Sequence, residues 1–362
     1  MTSQKQPTLL HVFSTFRVGG PQVRFCSLAN GFRSRYRHVV FAMDGRYDCR
    51  ERLRSDLDVS VADVVAKKPD TLGNRQRFRA YLKALRPDLL VSYNWGSMEW
   101  AMANWPRLVP HVHIEDGFGP EEADRQLLRR VWTRRLLLSD SLVVVPSRTL
   151  ESIALHVWRL SPRRIRYIPN GVDWQRFAAP GIAPIHWPGS DPVIGTVAAL
   201  RPEKNLRRLL GAFKLVRERM RCRLLIGGDG DERADLEGHA AELGIREHVM
   251  FAGHVGEPER IYAALDVFAL SSDTEQMPTT VVEAMAAGLP VAAVGVGDVS
   301  QMVAVENRPF VAERNEASLA DAICRLLENR DLRARVGAAN RTLARTQFDE
   351  QTMGAAYAGL FG

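Results

Sequence analysis

Residues 271–294 read SSDTEQMPTTVVEAMAAGLPVAAV, and this stretch contains a strand-to-helix turn with two glutamates eight positions apart. Pro278 suits the first turn of a helix, where a missing N–H leaves no bond unmade. The Gly-Leu-Pro at 288–290 ends the same helix. Glu275 is therefore expected in the loop after a strand, and Glu283 on the helix that follows.

The start of this helix combines an anion site with two carboxylates. Backbone N–H groups near Thr279 and Thr280 point out of the helix N-terminus and attract negative charge. Each carboxylate can accept hydrogen bonds from paired hydroxyls, as on a ribose or a hexose. A helix with incidental acids on its surface would have the same sequence pattern. Glu283, however, lies in an apolar run, and a buried acid needs a partner. The stretch therefore favours a ligand site.

Outward from this stretch, short apolar runs alternate with amphipathic segments. Such alternation predicts βαβ units and parallel sheets, hence an α/β fold. The predicted strands are 9–13, 37–43, 88–93, 109–114, 141–145, 165–168, 192–197, 223–226, 249–252, 267–270 and 290–294, and the predicted helices are 22–32, 75–85, 205–217, 231–243, 257–264, 279–287, 316–346 and 350–360.

The length of 362 residues predicts two domains, and the Pro-, Gly- and Ala-rich residues 178–192 are the expected linker. We predict one Rossmann-like domain over 1–178 and a second over 190–346. Ligands of doubly wound sheets bind at the carboxyl ends of the strands. With two such domains, the sequence predicts a crevice between them.

Composition narrows the class of protein. Hydrophobic residues make up 46% of the chain and charged residues 25%, which is typical of a soluble globular protein. No apolar run approaches the roughly 20 residues that span a bilayer. The four cysteines lie far apart without CxxC spacing, so a reducing cytoplasm is expected and a cysteine–histidine zinc site is not.

Charge is unevenly distributed along the chain. Residues 1–180 hold 29 Lys and Arg against 17 Asp and Glu, whereas the remainder has a net charge of −5. A basic first half indicates an anionic partner, such as a membrane surface, an acidic glycan or nucleic acid, or else a merely solvated basic face.

Three shorter segments also carry candidate binding groups. Arg201 and Lys204 lie in a strand-to-helix loop, where two cations could neutralise a diphosphate, although such loops are often only solvated surface. Gly19-Gly20 allows backbone to approach a phosphate closely, but a GG turn without GxGxxG is weak by itself. The segment 111–122, HVHIEDGFGPEE, is expected to bring polar side chains to the end of a strand. These side chains could form hydrogen bonds to a sugar, or they could only cap and stabilise their own loop.

The segment Arg125–Leu138 interleaves arginines with Leu, Val and Trp. A basic amphipathic helix can lie on anionic lipid. A helix that packs its apolar face on its own sheet explains the same pattern, and this is the interpretation we favour from the sequence.

Taken together, these segments resemble the family-4 retaining glycosyltransferases of the GT-B fold, along nearly the whole chain. The stretch at 271–294 is similar to the E-x(7)-E motif of that family. The other motifs are VGG at 18–20, VPSRTL at 145–150, PNGVD at 169–173, RPEKN at 201–205, GGDGDE at 227–232, FAGHV at 251–255 and the tail 348–362. The resemblance implies that a C-terminal helix over 347–362 crosses back to the first domain.

The resemblance also implies a donor site in the second domain. Glu283 would hold ribose hydroxyls, Glu275 the hydroxyls of the transferred sugar, and Lys204 the diphosphate. The other implied donor contacts in that domain are Arg201, Gly228, His254, Val255, Pro278, Thr279 and Thr280, and Gly19 and Gly20 would approach the phosphates from the first domain.

The implied catalytic set is His113, at the reacting sugar, together with Glu275 and Lys204. Further implied sugar or acceptor contacts are Glu115, Asp116 and Asn170. The chain departs from the family at three places. Ala199 stands where the family has an arginine, for which Arg201 is an alternative cation. Gln276 stands where it often has glycine. Glu-Asp-Gly at 115–117 stands where it often has Glu-His-Gly, which makes Asp116 an alternative to His113.

The resemblance implies sugar transfer from UDP- or GDP-sugar to an acceptor hydroxyl with retention at the anomeric carbon, and neither a metal nor a cofactor is expected. The expected setting is synthesis of a polysaccharide, a lipopolysaccharide or a glycolipid. The expected partners are a glycan or lipid-linked acceptor, and a membrane contact through the basic first domain, but not nucleic acid. The expected location is the cytoplasm, at the inner face of the cell membrane. A nucleotide-sugar epimerase, a non-catalytic GT-B scaffold and a dinucleotide-dependent oxidoreductase stay open as alternatives, although the missing GxGxxG disfavours the last.

Overall fold

Our computed structural model of the protein describes residues 6–122 and 125–362. They form two compact units. The first holds residues 6–169, apart from the undescribed 123–124, together with 353–362, and the second holds residues 170–352.

The first unit is built on one parallel sheet with the strand order β3-β2-β1-β4-β5-β6-β7. Its strands are β1 Thr8–Phe13, β2 Arg37–Ala42, β3 Val59–Val61, β4 Leu89–Tyr93, β5 His111–Ile114, β6 Leu142–Val145 and β7 Ile165–Tyr167. Its helices are α1 Gly20–Phe32, α2 Thr71–Leu85, α3 Met98–Ala103, α4 Leu128–Leu137 and α5 Arg148–His156.

The second unit repeats this plan on a six-stranded sheet with the order β10-β9-β8-β11-β12-β13. Its strands are β8 Val193–Val197, β9 Arg223–Gly227, β10 Val249–Gly253, β11 Val267–Leu270, β12 Val291–Val294 and β13 Val311–Ala312. Its helices are α6 Trp174–Ala178, α7 Leu206–Arg217, α8 Arg233–Glu242, α9 Glu259–Tyr262, α10 Thr279–Ala286, α11 Val299–Met302, α12 Glu316–Glu328 and α13 Arg330–Gln347; the final helix, α14 Glu350–Phe361, begins in this unit and ends in the first.

Burial on both faces explains why the strands are almost continuously apolar. All six residues of β1 are buried. Leu9 and Phe13 belong to a core cluster on one face of the sheet, and Leu10 and Val12 to a cluster on the other. Tyr357 and Phe361 of α14 complete the first of these clusters. The predicted α/β fold with parallel sheets is confirmed.

The expected linker is not where the chain passes between units. The passage falls at Pro169–Asn170, before residues 178–192. Within that segment, Ile185 N–H donates to the Arg260 carbonyl at 3.0 Å, and Arg223 donates to several of its carbonyls. The proline- and glycine-rich composition therefore reflects an extended segment packed on the second unit.

Other differences concern short or capped elements. Strands β3 and β13 span only three and two residues, too few for a hydrophobic pattern to predict them. The single helix expected over 316–346 is two helices. Asn329 separates them in an extended conformation, and its side chain accepts the Leu332 N–H as the N-cap of α13.

Helix α4 contradicts the packing expected for Arg125–Leu138. Arg130 and Arg134 are buried, whereas Trp132 is 62% exposed. The physical reason is a pair of buried acids beneath the helix, Glu115 and Glu122, which need cationic partners.

Candidate functional site

The second sheet reverses its order between β8 and β11, and such a switch point is where doubly wound sheets bind ligands. Lys204 lies in the turn after β8, and Glu275 in the loop after β11. Lys204 Nζ donates to Glu275 Oε1 at 2.5 Å, and Ser272 Oγ donates to the same oxygen at 2.8 Å. The fold thus brings together the cation and the loop carboxylate that the motifs single out.

Glu283 lies on α10 with a partner that the sequence did not reveal. Tyr262, at the end of α9, donates its hydroxyl to Glu283 Oε2 at 2.6 Å. Burial raises the pKa of the Glu283 carboxyl to about 7, although the Tyr262 hydrogen bond and the charge of Arg176 act in the opposite direction. Near neutral pH this carboxyl therefore exchanges between an acid and a hydrogen-bond-accepting carboxylate.

The N-terminus of α10 lacks a side-chain cap, and Pro278 is its N-cap residue. Thr279 and Thr280 follow and are half-buried. The turn is held in place by Asn170, whose side-chain Nδ2 donates to the Met277 carbonyl at 3.1 Å. Asn170 thus supports the turn that begins α10 from the start of the second unit.

A glycine turn joins the ends of β9 and β10. Gly228 has φ +126°, and a Cβ there would overlap the Ala198 carbonyl, so only glycine fits. Its N–H donates to the Gly253 carbonyl at 2.8 Å. The backbone of His254 and Val255 follows directly, at the same edge of the sheet as Lys204.

Arg201 is not drawn into this cluster. Its side chain is 59% exposed, and Nε lies 3.2 Å from Glu203 Oε1. Ala199 adds no charge at that loop, so Lys204 is the loop cation that contacts Glu275.

The first sheet has its own switch point between β1 and β4. Gly19 is the N-cap of α1, without a side-chain cap, and Gly20 is the first helical residue. Asn94 follows β4 with φ +56°, and its Oδ1 accepts the Asp116 N–H at 2.6 Å. The loops after β4 and β5 are therefore tied together beside the start of α1.

Asp116 makes a two-point ion pair that the sequence did not predict. Arg24 of α1 donates to its two carboxylate oxygens at 2.5 and 2.8 Å. Two features of the sequence could have indicated this arrangement: the asparagine directly after a strand, Asn94, and the arginine on the helix after Gly-Gly, Arg24. Asp116 thus stands at this switch point as a paired carboxylate.

His113 and Glu115 lie in the interior of the first unit, and both are fully buried. Ser92 Oγ is 2.8 Å from His113 Nδ1, and His113 Nε2 is 3.6 Å from Glu115 Oε2. Glu115 also accepts from Arg134 Nε at 3.2 Å. The two groups are therefore neighbours, but they are enclosed in this conformation.

Arg134 is the centre of a buried network that sequence reasoning missed. It donates to both carboxylate oxygens of Glu122, at 3.2 and 3.1 Å. Its guanidinium carbon lies 5.0 to 5.1 Å from the ring centroids of Trp95, Phe118 and Trp158. This network holds the segment that follows β5.

Among the residues that the structure describes, no group of three or more His, Cys, Asp or Glu side chains is placed to hold a metal ion. Within the same residues, no helix is both long and apolar enough to cross a membrane.

Two family models together match most of the chain. The model of the glycosyl transferases group 1 matches residues 182–343, and that of glycosyltransferase family 4 matches residues 18–176. The chain belongs to the family 4 glycosyltransferases. The resemblance stated from the motifs is thereby confirmed.

Curated relatives of this glycosyltransferase match over part of their length. The 2-deoxystreptamine glucosyltransferase of Streptomyces kanamyceticus is 35% identical over 38% of this chain and 37% of its own. The GDP-mannose-dependent α-(1-6)-phosphatidylinositol monomannoside mannosyltransferase of Mycobacterium tuberculosis is 30% identical over 53% and 54%. The chain spans 35% to 54% of the length of the first such relatives.

Solved structures resemble this glycosyltransferase over nearly all of both chains. Anabaena HepE, solved with UDP-glucose, has a TM-score of 0.81 at 20% identity and covers 98% of each chain. A Rickettsia africae glycosyltransferase has a TM-score of 0.80 at 15% identity, over 99% of this chain and 98% of its own. These likenesses show the GT-B fold.

Proposed function

We propose that this glycosyltransferase moves a hexose-type sugar from a UDP- or GDP-sugar to an acceptor hydroxyl, with retention at the anomeric carbon and without a metal. The observation that carries the proposal is the cluster at the second switch point, where Lys204, Glu275 and Ser272 meet beside the uncapped N-terminus of α10. Cation, helix N-terminus and carboxylates are the groups that a sugar diphosphate requires.

In this proposal, carboxylates hold the hydroxyls of the donor, and a cation with backbone amides holds its diphosphate. The ribose hydroxyls donate to Glu283, and the sugar hydroxyls to Glu275. The diphosphate lies against Lys204 and the first amides of α10. Arriving phosphates compete with Glu275 for Lys204, so donor binding opens the ion pair of the free protein and releases the glutamate toward the sugar.

The reaction breaks the bond between the anomeric carbon and the leaving phosphate oxygen, and it forms a bond to the acceptor oxygen on the same face. The acceptor proton passes to the leaving phosphate, as the family resemblance implies. Lys204 and the α10 amides stabilise the charge that grows on the diphosphate.

The acceptor side belongs to the first unit in this proposal. Asp116, which Arg24 fixes at the switch point of that unit, is the carboxylate offered to an acceptor there. We place the setting at the inner face of the cell membrane, in polysaccharide, lipopolysaccharide or glycolipid synthesis. A curated relative named for a phosphatidylinositol mannoside and another named for lipopolysaccharide core biosynthesis support this choice.

A non-catalytic GT-B scaffold, which would bind nucleotide weakly or not at all, is the second candidate. It is favoured by Ala199, which stands where the family has an arginine, and by Arg201, which faces Glu203 rather than the cluster.

The test incubates radiolabelled UDP- and GDP-hexoses with the protein and a bacterial membrane extract as the acceptor source. The proposal predicts label in a glycan or lipid, with release of nucleoside diphosphate. Lys204→Ala should lower the rate by about 10²–10³, whereas Arg207→Ala, an exposed cation on α7, should not. If the donor is neither incorporated nor consumed, the scaffold is favoured, and an epimerised sugar without incorporation would favour an epimerase.

A further inference from the structure

Helix α4 exposes three of its large apolar residues to solvent and buries two of its arginines. Leu128, Trp132 and Leu136 are 65%, 62% and 57% exposed. Arg130 and Arg134, on the same helix, are 8% and 0% exposed. An ordinary surface helix has the opposite arrangement.

The exposed apolar residues form one stripe. They are four positions apart, so at about 100° and 1.5 Å per residue they stay within about 80° of arc over about 12 Å. By the same geometry Arg129 and Arg135 lie about 60° to either side of Trp132. The Arg135 guanidinium carbon is 5.1 Å from the Trp132 ring centroid. We call Leu128, Trp132 and Leu136 with these two arginines the α4 stripe.

The orientation of the helix is fixed from beneath. Arg134 is bound to Glu115 and Glu122, and Arg130 to Glu122 at 3.0 Å. If the helix rolled to bury the stripe, it would leave these acids in the interior without cations, which is strongly unfavourable. Exposure of the stripe is therefore built into the first unit.

We propose that the α4 stripe docks on an anionic lipid bilayer, with Trp132 and the two leucines in the interface and the flanking arginines on lipid phosphates. A helix with large apolar side chains and adjoining cations is suited to lie in that plane. Tryptophan prefers this depth because its ring is apolar and its N–H is polar. This inference rests on the setting proposed above, at the inner face of the cell membrane, and it names the surface that contacts the lipid.

Charge complementarity favours lipid over a second copy of the chain. Arg107 and Arg164 both pair with Asp140, just beyond the helix, so these three residues add one net positive charge to the surface. A two-fold contact would set the stripe against itself and oppose arginine to arginine. Anionic headgroups, in contrast, are attracted by every cation of this surface.

The test is flotation with vesicles of phosphatidylcholine alone and of phosphatidylcholine mixed with phosphatidylglycerol. The wild type should float with the mixed vesicles. Replacing Leu128, Trp132 and Leu136 together by Gln should weaken binding at least about tenfold. Arg129→Glu with Arg135→Glu should weaken it at least about fivefold for each arginine.

Matched controls come from α2 of the same unit. Leu72 is 73% exposed, and Lys83 is an exposed cation. Leu72→Gln and Lys83→Glu should float as the wild type does. All variants should bind nucleotide in solution as the wild type does, because the α4 stripe makes no part of the donor site.

Failure of the wild type to float on the mixed vesicles would overturn the proposal, and so would equal flotation of the stripe variants and the controls. A lipid-free dimer that the triple Gln variant dissociates would overturn it in favour of a second copy. Intact flotation without nucleotide binding would instead refute the proposed donor site and leave the docking surface standing.

Discussion

At the scale of single residues, Glu275 has two proposed roles, and one substitution can distinguish them. In the free protein it holds Lys204, and with donor bound it faces the sugar. Glu275→Gln should therefore bind a bare nucleoside diphosphate a few-fold more tightly, because partly exposed ion pairs contribute about 0.2–1 kcal/mol. The same variant should lose transfer activity.

Calorimetry of the nucleoside diphosphate and a transfer assay on the same preparation make this measurement. Glu203→Gln is the control, since Glu203 faces the exposed Arg201. Weaker diphosphate binding in Glu275→Gln would contradict competition for Lys204.

Titration of the Glu283 carboxyl should make nucleotide affinity depend on pH. Its pKa of about 7 means that the carboxyl is protonated below that pH and charged above it. In the proposed site the ribose hydroxyls would donate to the charged form, so affinity should rise as the pH increases through about 7 and level off beyond it. Titration of the nucleotide across this range measures the midpoint.

Tyr262→Phe should move that midpoint upward. The Tyr262 hydroxyl donates to the charged carboxylate and lowers the Glu283 pKa, so its loss favours the protonated form. Phe177→Leu, a neighbour of the Tyr262 ring that has no hydroxyl, should leave the midpoint in place. A downward shift in Tyr262→Phe would show that Glu283 is not the titrating group.

At the scale of elements, the loop after β12 fixes the loop that carries Glu275. Gly297 has φ +50°, and a Cβ there would overlap the carbonyls of Glu275 and Gln276. Gly297→Ala should displace the loop, lower the free energy of unfolding by about 1–3 kcal/mol and weaken nucleotide-sugar binding.

Gly238→Ala is the matched control for this prediction. Gly238 lies in α8 with open space around its Cα, so alanine should stabilise by about 0.5–1 kcal/mol and leave binding unchanged. Thermal unfolding and calorimetry test both variants. Unaltered binding in Gly297→Ala would mean that the Glu275 loop is not held by this contact.

Removing Arg134 from the buried network under α4 should cause a large loss of stability. Arg134→Met leaves Glu115 without its cation and Glu122 with Arg130 alone, and it should cost about 3–5 kcal/mol of unfolding free energy. Arg129→Met, on the exposed face of the same helix, should change it by less than about 0.5 kcal/mol. Hydrogen exchange of the β5 amides reports on the first unit; equal protection in the two variants would contradict the role of Arg134.

At the scale of the whole molecule, the alternation of apolar runs was enough to predict two parallel-sheet domains, because buried strands carry an unbroken apolar signal. It placed Glu275 in a loop and Glu283 on a helix, as the structure has them. It could not place the passage between units, because a packed extended segment has the composition of a linker.

Long-range pairings were beyond the sequence. Arg24 with Asp116, Arg134 with Glu115, and Tyr262 with Glu283 join residues that lie far apart in the chain. Only the strand order brings such residues together. The helix pattern of 125–138 was misleading for the same reason, since its buried face is decided by acids from other segments.

A donor site in the second unit is tested by calorimetric titration of UDP and of GDP, with a chelator present, into the wild type, Glu283→Ala and Val305→Ala. Val305 is 67% exposed and serves as a surface control. We expect one of the two nucleotides to bind to the wild type and to Val305→Ala, and not to Glu283→Ala. Binding of neither nucleotide to the wild type, or equal binding to Glu283→Ala, would contradict a donor site in the second unit.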